Sequence, residues 1–228
     1  MRMNIKDGYK LFRDTFPLFK LAHRFYEKRC RKEYRGSDDI SILASNCIGG
    51  EIYHDLGLPF NSPTINFWMH QNDFLKFVKD LNFYLTEKLI FVDEEERRWH
   101  YPVATLGGDK RKVTLYFLHY KNRKDAEQKW EERKQRINYD KLCLIMCDRD
   151  GITYDDIVAF GKIPCYRRVM FTYKDYPEFS YTSRMPQDGN KECVINYQMK
   201  KWNGFWKWED RFNCSQWLNG NDFKGTEN

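Results

Sequence analysis

Five consecutive apolar residues, Leu142–Met146, lead into Cys147-Asp148-Arg149-Asp150-Gly151 and then Thr153, a residue suited to cap a helix over Asp155–Phe160. This order of buried strand, polar turn and helix limits the fold more than any other segment. The same order occurs at Ile40–Ala44, a short apolar strand. It passes through Ser45-Asn46-Cys47-Ile48-Gly49-Gly50 into a helix stopped near Leu56 by Gly57 and Pro59. Arg168–Thr172 supplies another strand. Lys88–Val92, Tyr101–Leu106 and Val113–Tyr120, separated by short charged or Gly-rich stretches, read as hairpin strands. Asn72–Thr86 carries one wide apolar stripe, and Arg123–Arg136 is a charged helix buried through Ala126, Trp130 and Ile137. Strands alternating with helices predict an α/β fold: three layers, α/β/α, around a mixed, mainly parallel sheet. Residues 40–45, 113–118 and 142–146 are expected to be its neighbouring central strands.

The 228 residues suffice for one domain, expected over residues 37–228. Its end, residues 178–228, is harder to read: Cys193–Tyr197 and a Trp-rich, helical extension with Trp202, Trp206, Trp208 and Trp217. Residues 1–36 stand apart. They hold eleven Lys or Arg against four acids, a charge of +7 in a chain of net +6, so the remainder is at −1. Leu18, Leu21, Ala22 and Phe25 share one helical face after a break or bend near Pro17. That predicts a basic amphipathic appendage suited to an anionic membrane surface or a partner. A near-neutral main domain argues against a nucleic-acid-binding core. Seven cysteines without a C-x-x-C pair are expected to be free thiols in a reducing cytosol, and no metal site is assigned to them. No run has the length of a signal peptide core or a membrane span, so a cytoplasmic location is expected, peripheral to the inner face of the membrane if attached at all.

Parallel sheets bind ligands beyond the C-terminal ends of their strands. Three polar clusters fall there. In the first, Cys47 follows Asn46 at a helix start, where the dipole lowers a thiol pKa, and Gly49 and Gly50 offer backbone N–H groups to an oxyanion. A buried structural cysteine beside a tight turn is the bland alternative. In the second, His119-Tyr120 ends a strand, and His119 is placed to act as a general base, with His54 as a competitor. In the third, Asp148 and Asp150 flank Arg149. They could hold a divalent metal and a sugar nucleotide, cap the turn, or orient a histidine. Asn66, in the segment after the loop Phe60–Thr64, is a substrate-binding candidate together with Asn46, Gly49, Gly50, Tyr120 and Arg149. The C-terminal tryptophans would be either a sugar-stacking platform or core.

Ser45-Asn46-Cys47-Ile48-Gly49-Gly50, Leu58–Thr64, His119-Tyr120 through Trp130 to Asn138, Arg149-Asp150-Gly151 and Phe171-Thr172 together resemble the bacterial DUF1919 family over about residues 37–180. Its members are commonly labelled exopolysaccharide or capsule biosynthesis proteins. The resemblance implies an α/β/α fold and a sugar-polymer pathway. The strand–Asn–Cys–helix entry also looks like that of capsule acetyltransferases that use coenzyme A. The expected function is therefore a transferase, acyl transfer to a sugar hydroxyl first, with Cys47, His119, Asp148 and Asp150 as catalytic candidates and an acyl-coenzyme A as donor. A glycosyl- or phosphosugar transferase using a sugar nucleotide with Mg²⁺ or Mn²⁺ is the first alternative. A non-catalytic sugar-binding or assembly subunit is the second. A carbohydrate or lipid-linked sugar is the expected partner in each case.

Overall fold

The computed structural model describes residues 17–93, 99–185 and 212–221. The expectations for residues 1–16, for Cys193–Tyr197 and for Trp202, Trp206 and Trp208 lie outside them. In chain order the elements are α1 (Pro17–Glu33), β1 (Ser41–Ala44), α2 (Ile48–Leu56), α3 (Gln71–Lys79), α4 (Leu81–Thr86), β2 (Ile90–Phe91), β3 (Val103–Leu106) and the short α5 (Gly108–Arg111). Then follow β4 (Val113–Tyr116), α6 (Arg123–Lys134), β5 (Leu142–Cys147), α7 (Tyr154–Gly161), β6 (Arg167–Thr172), β7 (Thr182–Arg184) and α8 (Cys214–Asn219).

The fold is α/β, as the sequence predicts. Four parallel strands form a sheet in the order β1-β5-β6-β7, with Ser41 opposite Leu142, Cys147 opposite Phe171 and Met170 opposite Thr182. Every residue of β5 is buried, because both faces of a central parallel strand are covered. Leu142, Leu144 and Met146 pack with residues of α3, α6 and the hairpin strands; Cys143, Ile145 and Cys147 pack with residues of α1, α2 and α8. Helical layers thus lie on both sides of the sheet. Thr153 and Asp156 start α7 with reciprocal capping bonds, and Gly57, in the left-handed region at φ 69°, ends α2.

One placement differs from expectation. Val113–Tyr116 is not a neighbour of β1 and β5 but belongs to a separate antiparallel sheet, β2-β3-β4. Val113 and Leu115 are buried while Thr114 and Tyr116 are half-buried, the alternation of a strand with one face on the core. The expected helix over 72–86 is also two helices. Asp80 leaves helical geometry at φ −137°, ψ 53°, and its carboxylate pairs with Arg111.

Helix α1 is tied into the domain at its C-terminal end. Cys30 is buried, Ser215 Oγ donates to its carbonyl, and Asn219 Nδ2 donates to Glu33 O. Trp217, one of the C-terminal tryptophans, is core: it is buried against Phe212 and donates through Nε1 to Arg168 O.

Candidate functional site

The segment Ile65–His70 links the three clusters. Its residues alternate between buried (Ile65, Phe67, Met69) and outward (Asn66, Trp68, His70), the period of an extended chain with one side on the core. Met69 N–H donates to Ser45 O at the end of β1, and Trp68 exchanges both backbone bonds with Tyr116 at the end of β4. His119 N–H donates to Asn66 O. Asn66 itself sits in the left-handed region at φ 63°, which asparagine tolerates better than most residues.

At the exit of β5 the two aspartates do different things. Asp148 Oδ2 accepts from Tyr173 N at 2.6 Å, joining the ends of β5 and β6. Asp150 holds the start of α3: its Oδ2 accepts from Gln71 N at 3.1 Å and its carbonyl accepts from Asn72 Nδ2. A carboxylate at a helix N-terminus is stabilised by the free N–H groups and the dipole. The same Oδ2 lies 3.4 Å from His70 Nδ1, and Oδ1 lies 3.3 Å from Arg149 Nε. Asp150 occupies the left-handed region at φ 63°, ahead of Gly151 at 80°, so the turn is shaped to present this carboxylate. His70 is half-exposed. With Nδ1 toward the carboxylate, Nε2 is on the far side of the ring, the arrangement of an oriented base.

An aromatic wall stands beside the pair. Trp68 stacks on Tyr116 with centroids 3.9 Å apart and planes 6° from parallel. The His70 ring meets both edge-on, at 5.2 and 5.7 Å. Trp99 and Tyr101 extend the wall, and Trp68 Nε1 donates to Tyr101 Oη. Burial, helped by the Asp73 carboxylate, raises the Tyr116 pKa, so its hydroxyl stays protonated.

Cys47 differs from expectation in one respect. Burial, with Glu51 one turn on, pushes its thiol up to about 12 rather than down. The reason is local. Asn46 Oδ1 takes the N–H of Ile48, while the Cys47 sulfur lies 3.9 Å from Phe67 O, away from the helix N–H groups. Asn46 Nδ2 reaches the buried Cys147 sulfur at 3.6 Å, so Asn46 stitches β1 to β5. Gly49 is buried against β1: a Cβ there would lie 3.2 Å from that of Ala44, and the glycine allows helix and strand to approach. Gly50 lies beside Ile65 and Asn66. Tyr120 is a buried strut whose hydroxyl donates to Ile65 O and accepts from Arg133. His119 is exposed. The contact with Asp150 is made by His70, and sequence reasoning missed both His70 and Trp68. The alternation of apolar residues at 65, 67 and 69 was the signal that places Trp68 and His70 on one outward side.

Two clefts of about 770 and 510 Å³ open at the opposite end of the parallel sheet, around Tyr166. Neither lining contains a histidine, and ligands of parallel sheets bind at the C-terminal strand ends. The candidate site is therefore the β5 exit.

A family model described as a domain of unknown function, DUF1919, matches residues 20–219. The chain belongs to the DUF1919 family. An uncharacterized protein of Haemophilus influenzae is 35% identical over 198 residues, which cover 86% of this chain and 92% of that protein. The family match takes in all the residues of the candidate site, most of α1 and the Trp-rich segment, well beyond the motifs at residues 37–180.

Proposed function

We propose that this DUF1919 protein transfers an acyl group to a hydroxyl of a sugar in surface-polysaccharide synthesis, with His70 as the base, Asp150 as its orienting partner, and Trp68 and Tyr116 as the sugar platform. The observation that carries this reading is the His70–Asp150 pair set against a half-buried aromatic wall at the C-terminal end of β5. Flat apolar rings suit the C–H faces of sugars, and a histidine held by a carboxylate suits the removal of a hydroxyl proton. The polysaccharide setting rests on the family resemblance, and the coenzyme A thioester on the looser likeness of the strand–Asn–Cys–helix entry to capsule acetyltransferases.

In this scheme His70 Nε2 takes the proton of the sugar hydroxyl as its oxygen attacks the thioester carbonyl. The tetrahedral intermediate collapses with cleavage of the C–S bond, and the departing coenzyme A sulfur takes the proton back from His70. Asp150 stabilises the imidazolium, and Arg149 is the cation beside it. This scheme needs no acyl-enzyme at Cys47, whose thiol is pushed up by desolvation and is a poor nucleophile at neutral pH. Metal-dependent glycosyl transfer fits less well, because Asp148 and Asp150 are engaged by backbone N–H groups of Tyr173 and Gln71. A thermal-shift panel of sugar nucleotides tests the platform. At least one is expected to raise the melting temperature of wild type and not of Trp68→Ala; stabilisation of equal size in both would remove the wall from the site.

Helix α1 would bring the site to a lipid-linked acceptor at the inner face of a membrane. None of the described helices is long and apolar enough to cross one. Leu21 and Phe25 are 50% and 62% exposed on α1, with Arg24, Lys28 and Arg29 exposed beside them, a pattern suited to an anionic surface. Co-sedimentation with phosphatidylserine vesicles is expected to fall severalfold in Phe25→Glu; unchanged binding would refute the docking role.

A further inference from the structure

A second cluster lies far along the chain from the β5 exit, where α1 crosses the last turn of α2. His23 and Glu27 are one turn apart on α1; His54 and Asp55 are adjacent at the end of α2. Four atoms converge there, His23 Nε2, Glu27 Oε1, His54 Nδ1 and Asp55 Oδ1, all within 4.8 Å of one another. His23 Nε2 is 3.4 Å from Glu27 Oε1 and 3.6 Å from Asp55 Oδ1. His54 Nδ1 is 3.6 and 3.7 Å from the same two oxygens. A tetrahedron with zinc-like arms of about 2.0–2.2 Å has edges of about 3.3–3.6 Å, so these four separations are close to those of a ligand set around one ion.

We propose that His23, Glu27, His54 and Asp55 bind one divalent transition-metal ion of the zinc type, clamping α1 to α2. Two carboxylates neutralise the ion, and two imidazoles favour a transition metal over the all-oxygen preference of Mg²⁺ or Ca²⁺. Four protein ligands make a closed, structural site, unlike a catalytic one that keeps a position open. The supporting groups are in place. Arg31 Nη2 donates to Glu27 Oε2 at 3.4 Å, leaving Oε1 to the cluster. Its Nε and Nη2 also hold Asp55 O and His54 O, at 3.1 and 3.3 Å, fixing the end of α2 that carries two of the ligands. Gly57 closes the same turn through its N–H to His54 O. Without an ion, the same geometry would be a set of histidine–carboxylate ion pairs, which makes the two possibilities separable.

Chelator-treated full-length protein is titrated with ZnCl₂, and separately with MgCl₂, in a calorimeter. One equivalent of Zn²⁺ is expected to bind with Mg²⁺ inert, and affinity to fall at least tenfold in His54→Gln. His54 is mostly exposed, so that variant should fold; circular dichroism checks it, and His23→Gln serves as a second variant. Loading with Co²⁺ separates this cluster from the cysteines: four-coordinate N/O ligation gives visible d–d bands without a near-ultraviolet thiolate-to-cobalt band. Absence of a one-equivalent Zn²⁺ site, equal affinity in wild type and both folded variants, or a thiolate band would each overturn the proposal.

Discussion

Asp150→Asn is expected to lower acyl transfer by about a hundred- to ten-thousand-fold while changing stability by less than about 1 kcal/mol. Asparagine suits this position for two reasons. It tolerates the left-handed backbone at φ 63°, and its side-chain oxygen can still accept from Gln71 N. What it loses is the negative charge that orients His70 and stabilises the imidazolium. His70→Ala should lose a similar factor. Asp150→Ala is a poorer probe, because it leaves the start of α3 without its acceptor and puts a β-carbon without Asx character at positive φ. Steady-state turnover and urea unfolding of the same samples separate catalysis from folding. A loss of turnover matched by a lowered unfolding midpoint would make Asp150 structural only.

Iodoacetamide is expected to label the half-buried Cys47 slowly at pH 7, since desolvation pushes its thiol, like that of the fully buried Cys143, up to about 12. Relative to a free thiol near 8.5, the thiolate fraction at pH 7 is about three orders of magnitude smaller. The higher intrinsic nucleophilicity of a more basic thiolate offsets part of this, leaving a labelling rate about a hundredfold down. Peptide mapping by mass spectrometry reads it residue by residue, and the rate should climb with pH without levelling off between pH 7 and 9. The sign for stability follows. Cys47, Cys143 and Cys147 hold their protons more tightly in the folded chain, at about 12, than at the ordinary value of 9.0. Their contribution is therefore complete below about pH 9 and is lost as pH rises toward 12. Rapid labelling of Cys47 at neutral pH would instead restore it as a nucleophile candidate.

The strands β1, β5 and β6 and the helices that follow β1 and β5 were legible because their signals are local: unbroken apolar runs, Thr153 with Asp156, and Gly57 after Leu56. The position of β4 was legible too, in the alternation of Val113-Thr114-Leu115-Tyr116, but counting it as one more apolar run moved it into the wrong sheet. The region assigned as the candidate site follows from the rule for strand ends, and Asp150 lies in it. Its partner could not be read, because His70 meets Asp150 across eighty positions of sequence through the folding of Ile65–His70 against β1 and β4. A helix start just after Cys47 was visible; that Asn46 would take the Ile48 N–H and the Cys47 sulfur turn toward Phe67 O was not. The four ligand atoms on α1 and α2 were hidden for the same reason, since His54 and Asp55 meet His23 and Glu27 only when α1 packs.

The most direct measurement is acyl transfer from acetyl-coenzyme A to a panel of sugar nucleotides and lipid-linked sugars, read as product mass. Four proteins are compared: wild type, Cys47→Ala, His70→Ala and Asp150→Asn. The account predicts an acetylated sugar from wild type and from Cys47→Ala, and at least a hundredfold less from the other two. Product lost in Cys47→Ala and kept in His70→Ala would contradict it.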